Sequence, residues 1–228
     1  EAPYGGFCTT FSRSNDRFQL AELTSELGER FETMRIALKF YSCVGSNHTT
    51  LDAIRDIRKR RPFSLGELDK VVVFGSQVTV DHVGWPYRPE GLTSAQLNLP
   101  YCVATLLLED DVFVDQFGEG CVTDEARIAL SRKVEVRHDP GITALGSRFR
   151  HKVHVEVHLA DGSIHRETRE APRGSEADFA SEADIVRKFE SLTRDALPES
   201  QRQQLVEAVL GLDKLEDASR LARLLATG

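Results

Sequence analysis

The fold class is decided by one alternating stretch and the turn after it, Lys152-Val153-His154-Val155-Glu156-Val157-His158-Leu159-Ala160-Asp161-Gly162. Apolar residues occupy every second position and polar residues the positions between them, which predicts a strand with one buried face. Asp-Gly is a typical hairpin turn, so the segment 164–169 that follows is predicted to be the partner strand. The chain is therefore expected to contain antiparallel sheet.

Strands and helices are mixed on both sides of this hairpin. Further strands are predicted over 34–39 and 134–136, and one or two strands over 70–83, broken at Gly75-Ser76. Helices are predicted over 17–31, 46–61, 123–132, 182–196, 199–210 and 215–226. Strict alternation of strand and helix is absent. The pattern indicates an α+β domain over roughly residues 33–170 with helical segments at both ends.

Composition excludes several classes of function. The 228 residues include 29 Lys and Arg against 36 Asp and Glu, a net charge of −7, which argues against nucleic acid as the main partner. The longest apolar runs are too short to span a membrane, and we expect no signal peptide. The four cysteines form no Cys-x-x-Cys pair, so we expect reduced thiols, a cytoplasmic location and no zinc or iron–sulfur site. Because the chain starts at Glu1 and its only methionine is Met34, we expect it to be part of a longer or processed protein.

Lys39 and His48 flank a predicted turn from strand to helix. The free N–H groups and positive dipole at such a helix start favour an anion, such as a substrate carboxylate. A partly desolvated lysine beside it could act as a base. The alternative is an exposed lysine and a solvated histidine.

Tyr101 lies in a predicted first helical turn, after Asn98 as N-cap and Pro100. It is either a functional phenol or a core tyrosine with a satisfied hydroxyl. His154, Glu156 and His158 share one strand face and could in principle bind a metal. Because the rest of that face is polar, we expect it to be solvated and free of transition metal.

Two segments resemble the signature motifs of the MmgE/PrpD family, the family of 2-methylcitrate dehydratase and cis-aconitate decarboxylase. The first is Leu38-Lys39-Phe40-Tyr41-Ser42-Cys43 with His48 and Leu51-Asp52-Ala53-Ile54. The second is Pro89-Glu90-Gly91-Leu92-Thr93-Ser94-Ala95-Gln96-Leu97-Asn98-Leu99-Pro100-Tyr101-Cys102-Val103-Ala104. Ser42 and Asn98 depart from the proline and serine usual in the family, and Val44 from the cysteine or histidine.

The resemblance implies the C-terminal half of a two-domain enzyme without metal or cofactor. Residues 1–32 would end a helical-domain segment, 33–172 would form an α+β lid, and 173–228 would be helices returning to the helical domain. Lys39, His48 and Tyr101 would take the catalytic positions of the lid. The other active-site residues would lie in an N-terminal helical half, and we also expect a homodimer.

The expected reaction is dehydration or decarboxylation of a di- or tricarboxylate, by proton transfer next to a carboxylate. Two alternatives stay open. The protein could be an epimerase or isomerase of a dicarboxylate, or a non-catalytic α+β folding or dimerisation domain.

Overall fold

The computed structural model describes residues 5–226, apart from the side chain of Arg35. The outermost residues of segments 1–32 and 173–228 thus lie outside the described residues. The chain divides into two units, Glu1–Ile36 and Ala37–Gly228, which are described separately below.

The first unit contains little regular structure. Helix α1 spans Phe7–Ser12, and single 3-10 turns span Leu20–Leu23 and Glu32–Arg35. The helix predicted over 17–31 and the strand predicted over 34–39 are therefore wrong. No side chain described in residues 5–36 is buried. A short amphipathic helix gains most of its stability from packing its apolar face, and this unit supplies no surface for that.

The second unit is built on a four-stranded mixed sheet in the order β2-β1-β3-β4. The strands are β1 (Leu68–Gly75), β2 (Val134–His138), β3 (Val153–Leu159) and β4 (Ile164–Arg169). β1 runs parallel to β2 and antiparallel to β3, and β3 pairs with β4 through the predicted hairpin, with Val157 opposite His165. The alternating residues of β3 are buried on one face, as the sequence predicts. The expected α+β class is confirmed.

Ten helices of the second unit are described after α1. They are α2 (Gly45–Arg60), α3 (Gln77–Val83), α4 (Leu92–Leu97), α5 (Leu99–Glu109), α6 (Glu119–Val122), α7 (Glu125–Ser131), α8 (Pro140–Ala144), α9 (Glu182–Thr193), α10 (Glu199–Leu210) and α11 (Ser219–Leu225). Short 3-10 turns lie at Leu65–Glu67, Val114–Phe117, Ser147–Phe149 and Leu212–Lys214. Among the described residues, no helix has the length and apolar character needed to cross a membrane.

The segment 70–83 differs from its predicted strand. Its second part is α3, because the Ser76 side chain accepts a hydrogen bond from the Thr79 N–H and caps the helix. The core lies where α2 covers β3 and β4, and α5 packs against α2, α7 and β2. This arrangement places the N-terminal turns of α2 and α5 side by side.

Candidate active site

Lys39 lies on the wall of a cavity of about 370 Å3. One wall is the irregular segment before α2, and the other is α4; the lining residues are Lys39, Tyr41, Ser42, Cys43, Val44, Thr93, Gln96 and Leu97. Backbone bonds fix the irregular segment, since Ser42 N donates to the Val112 carbonyl and Val44 N to the Gln96 carbonyl, each at 3.0 Å. The Gln96 side chain closes the link by donating to the Ser42 carbonyl at 3.0 Å. Lys39 and Cys43 therefore share one small cavity.

His48 is buried behind this segment, in the first turns of α2. Its ring meets the Tyr41 ring edge-on at a centroid distance of 5.1 Å. Nε2 lies 3.4 Å from the Cys43 carbonyl oxygen, and a hydrogen bond there requires the proton on Nε2. His48 is not among the described residues that line the cavity.

Tyr101 occupies the first turn of α5, as the sequence predicts. The Asn98 side chain caps this helix by accepting from Tyr101 N at 2.8 Å, and its Nδ2 donates to the Trp85 carbonyl at 2.7 Å. The Tyr101 ring is fully buried, and its hydroxyl donates to the Gln116 carbonyl at 2.8 Å. Burial raises the pKa of this phenol well above its ordinary value, so the hydroxyl keeps its proton.

An aromatic and cationic cluster surrounds Tyr101. The rings of Tyr87 and Phe117 lie at 4.7 and 5.7 Å, and the Arg127 guanidinium stands 5.6 Å from the ring centroid. Arg127 is itself buried, donates to Thr105 Oγ1 at 3.0 Å and pairs with Glu109. Tyr101 is not among the described lining residues of the Lys39 cavity.

The helix starts that carry His48 and Tyr101 are joined by their chain neighbours. Asn47 Nδ2 lies 3.3 Å from Cys102 Sγ, and both residues are fully buried. The structure thus brings the two helix starts together, with Lys39 on the cavity wall. The Tyr101 hydroxyl, in contrast, donates to the backbone carbonyl of Gln116.

Cys43 also lines the cavity; from the sequence it is only a weak nucleophile candidate, because nothing assigns it a base. Burial alone would raise the pKa of this thiol. The neighbouring Cys102, His48 and Asn47 side chains outweigh burial and lower its pKa. The available sequence signal was its position between Lys39 and His48 in the first motif.

His151 is a residue that sequence reasoning missed. It follows the 3-10 turn before β3, and its Nε2 accepts a hydrogen bond from Arg150 Nε at 3.0 Å. Burial and the positive charges of Arg150 and His48 lower its pKa. Its Nδ1 is buried and has no hydrogen-bond partner among the described residues.

The polar face of β3 is engaged in local pairs. His158 Nε2 lies 2.9 Å from Glu156 Oε2, Glu156 also pairs with Arg166, and His154 Nδ1 lies 2.7 Å from Thr168 Oγ1. Within residues 5–226, no group of three or more His, Cys, Asp or Glu side chains is placed to hold a metal ion.

Comparison with known proteins identifies related chains. The family model of the MmgE/PrpD C-terminal domain matches residues 41–214. The chain is 29% identical to cis-aconitate decarboxylase of Aspergillus terreus and 27% identical to the cis-aconitate decarboxylase-like protein oryM of Aspergillus oryzae. These alignments cover 99% and 98% of this chain but 48% of each relative, so the chain spans about half the length of the curated relatives it matches.

Proposed function

This chain belongs to the MmgE/PrpD family, and we propose on that basis that it forms the C-terminal part of a lyase acting on a di- or tricarboxylate. The observation that carries the proposal is the cavity that Lys39 and Cys43 share, in front of the helix that holds His48. A volume of about 370 Å3 suits a small organic acid, since ligand pockets commonly measure roughly 300–1,000 Å3. Because the relative from Aspergillus terreus is named cis-aconitate decarboxylase, cis-aconitate is the first substrate to test.

Three side chains are proposed to carry the reaction. The Lys39 ammonium attracts a substrate carboxylate and stabilises the negative charge that develops on the adjacent carbon. His48 moves the proton, because an imidazole is the side chain whose ordinary pKa lies nearest neutrality. Tyr101 is the third group, and its hydroxyl has to exchange the Gln116 carbonyl for the substrate in order to act.

The complete enzyme is proposed to include an N-terminal helical half and to act as a cytoplasmic homodimer without metal or cofactor. Exposed large apolar side chains on the described C-terminal helices support this proposal, because another protein surface would cover them. Ile185, Leu192, Val209 and Leu210 are each about half exposed.

The test assays this chain joined to its own N-terminal half. Carbon dioxide release and proton NMR are followed with cis-aconitate, 2-methylcitrate and other di- and tricarboxylates. We expect Lys39→Ala, His48→Ala and Tyr101→Phe each to lower kcat/KM by roughly 10²–10⁴, the usual cost of losing a proton-transfer group. Lys59→Ala, an exposed lysine near the far end of α2, is the matched control and is expected to keep full activity.

Other results would point elsewhere. Inversion of a stereocentre without loss of carbon dioxide or water would identify an epimerase. A folded dimer that turns over none of the acids would support a non-catalytic domain. Full activity in Lys39→Ala or His48→Ala would remove that residue from the site.

A further inference from the structure

Lys39 lies at the edge of the packed part of the chain. No side chain described in residues 5–39 is buried, and Phe40 is the first buried one among the described residues. Lys39 itself is exposed and belongs to no helix or strand. A lysine in such an irregular segment keeps a fixed place only if other parts of the fold hold the residues beside it.

The two neighbours of Lys39 are held by the loop that follows β4. The Leu38 N–H donates to the Gly174 carbonyl at 2.9 Å. The Arg173 guanidinium stands 4.4 Å from the centroid of the Phe40 ring, a distance at which a cation is attracted to the ring face. Two consecutive loop residues therefore anchor the chain on both sides of the lysine.

Arg173 is itself fixed at both ends. Its backbone N–H donates to Asp52 Oδ2 at 2.8 Å, and the Tyr41 hydroxyl donates to Oδ1 of the same buried carboxylate at 2.7 Å. Its Nη1 donates to Asp184 Oδ1 at 3.1 Å, in the first turn of α9. The guanidinium is thus held between the Phe40 ring and α9.

We propose that Arg173 is a positioning residue for Lys39, which it holds on the cavity wall by clamping the Phe40 ring. The inference rests on the proposed function, since Arg173 has this role only if Lys39 takes part in the reaction. Arg173 is not among the described residues that line the Lys39 cavity, so it acts through Phe40. A displacement of about 1 Å at a reacting group can lower a rate by roughly 10²-fold, even when its cause lies away from the chemistry.

The expected kinetic effect falls mainly on kcat. A displaced Lys39 ammonium still attracts a substrate carboxylate, because the attraction between charges falls only gradually with distance. It no longer lies where negative charge develops on the substrate, so the transition state loses more stabilisation than the bound substrate does. A purely structural role of Arg173 would give no such link to Lys39.

The experiment is a double-mutant cycle in the complete enzyme, this chain joined to its N-terminal half, with the acid that the wild type converts. Arg173→Ala should lower kcat by roughly 10–100-fold and change KM by less than about threefold. In the Lys39→Ala background the same substitution should lower kcat by less than about twofold, because the group that it positions is gone. Arg187→Ala is the matched control, since it removes the other arginine paired with Asp184, and it should keep wild-type kcat.

Amide hydrogen exchange gives a second readout that needs no turnover. The Leu38 N–H should exchange at least about tenfold faster in Arg173→Ala than in the wild type, whereas Arg187→Ala should keep the wild-type rate. Arg173→Lys keeps the charge but lacks the planar guanidinium, so its losses should be intermediate. It replaces Arg173→Ala in the cycle if the alanine variant does not fold.

The outcomes separate this inference from the proposed function. Equal losses of kcat from Arg173→Ala with and without Lys39, or an unchanged exchange rate at Leu38, would overturn the positioning role and leave the proposed function standing. Full activity of Lys39→Ala, or an enzyme that converts none of the acids, would contradict both. If Lys39→Ala has no measurable turnover, the exchange rate at Leu38 and the effects of Arg173→Ala on kcat and KM decide.

Discussion

The side-chain amide of Asn47 in α2 lies 3.3 Å from the sulfur of Cys102 in α5, although 55 positions separate the two residues in the sequence. The same Nδ2 lies 3.5 Å from the Gln96 carbonyl, in the helix that forms the other wall of the cavity. One buried amide therefore connects three helix segments around the proposed site.

Asn47→Ala should lower the free energy of unfolding by about 1–2 kcal/mol, because it removes a buried donor shared by these partners. Urea denaturation measures the change. Lys59→Ala, exposed on the same helix, is the control and should stay within about 0.5 kcal/mol of wild type. Equal stabilities of the two variants would contradict the connecting role of Asn47.

Asn98→Ala should lower the free energy of unfolding by more than the loss of an ordinary helix cap does. The substitution removes the acceptor for Tyr101 N and also the donor to the Trp85 carbonyl. We expect a loss of about 2–3 kcal/mol, against about 1 kcal/mol or less for Ser181→Ala at the exposed start of α9. Chemical denaturation of both variants tests this, and a cost at Asn98 no greater than that at Ser181 would argue against the second bond.

Tyr41→Phe should destabilise the protein through Asp52. The Tyr41 hydroxyl donates to Asp52 Oδ1 at 2.7 Å, and Arg173 N donates to Oδ2 of the same buried carboxylate at 2.8 Å. Hydrogen bonds to charged groups contribute about 1.5–3 kcal/mol, so we expect a loss in that range. Tyr87→Phe removes a bond to the neutral Val122 carbonyl and should cost about half as much. Urea denaturation measures the loss of unfolding free energy in both variants, and the loss in Tyr41→Phe should be about twice that in Tyr87→Phe.

Gly174→Ala should be among the most destabilising single substitutions in the loop after β4. Gly174 has φ of +88°, and an added Cβ would lie 2.6 Å from the Leu38 carbonyl oxygen and 2.7 Å from Phe40 Cε2. Gly162 has a similar φ of +84° but open space around a Cβ. Gly162→Ala should therefore lower the free energy of unfolding only by the backbone cost, about 1 kcal/mol. Gly174→Ala should lower it by about 1–3 kcal/mol more, because of the close contacts. Similar melting temperatures for the two variants would contradict the close approach.

Protonation of His151 should weaken the fold below neutral pH. Burial and the charges of Arg150 and His48 hold its folded pKa below the ordinary value of 6.5, so the unfolded chain takes up the proton first. The stabilising contribution is complete above about pH 6.5 and is lost as the pH falls toward the folded pKa. The fall in unfolding free energy between pH 7.5 and pH 5 should be smaller in His151→Gln than in the wild type. Parallel pH profiles of unfolding free energy for the two proteins would show that His151 does not contribute to the loss of stability at low pH.

The sequence by itself determined the features that neighbouring residues encode. The alternation from Lys152 to Ala160 and the Asp161-Gly162 turn predicted β3 and β4 and their hairpin, whereas their register, with Val157 opposite His165, is seen only in the structure. Asn98 with Pro100 specified the start of α5, because the cap and its bonded N–H lie three positions apart. The proposal of Lys39 and His48 as site residues also came from a local motif, and it stays a prediction.

Tertiary structure alone decided the features that depend on distant partners. The segment 17–31 has helical periodicity, yet it forms only a single 3-10 turn, because amphipathic residues need a surface to pack against. The Tyr101 hydroxyl meets the Gln116 carbonyl, and Asn47 meets Cys102, only after the chain has folded around α2, α4 and α5. No periodicity within any one segment reports these contacts, since side-chain pairing across helices is set by how the whole core fills its space.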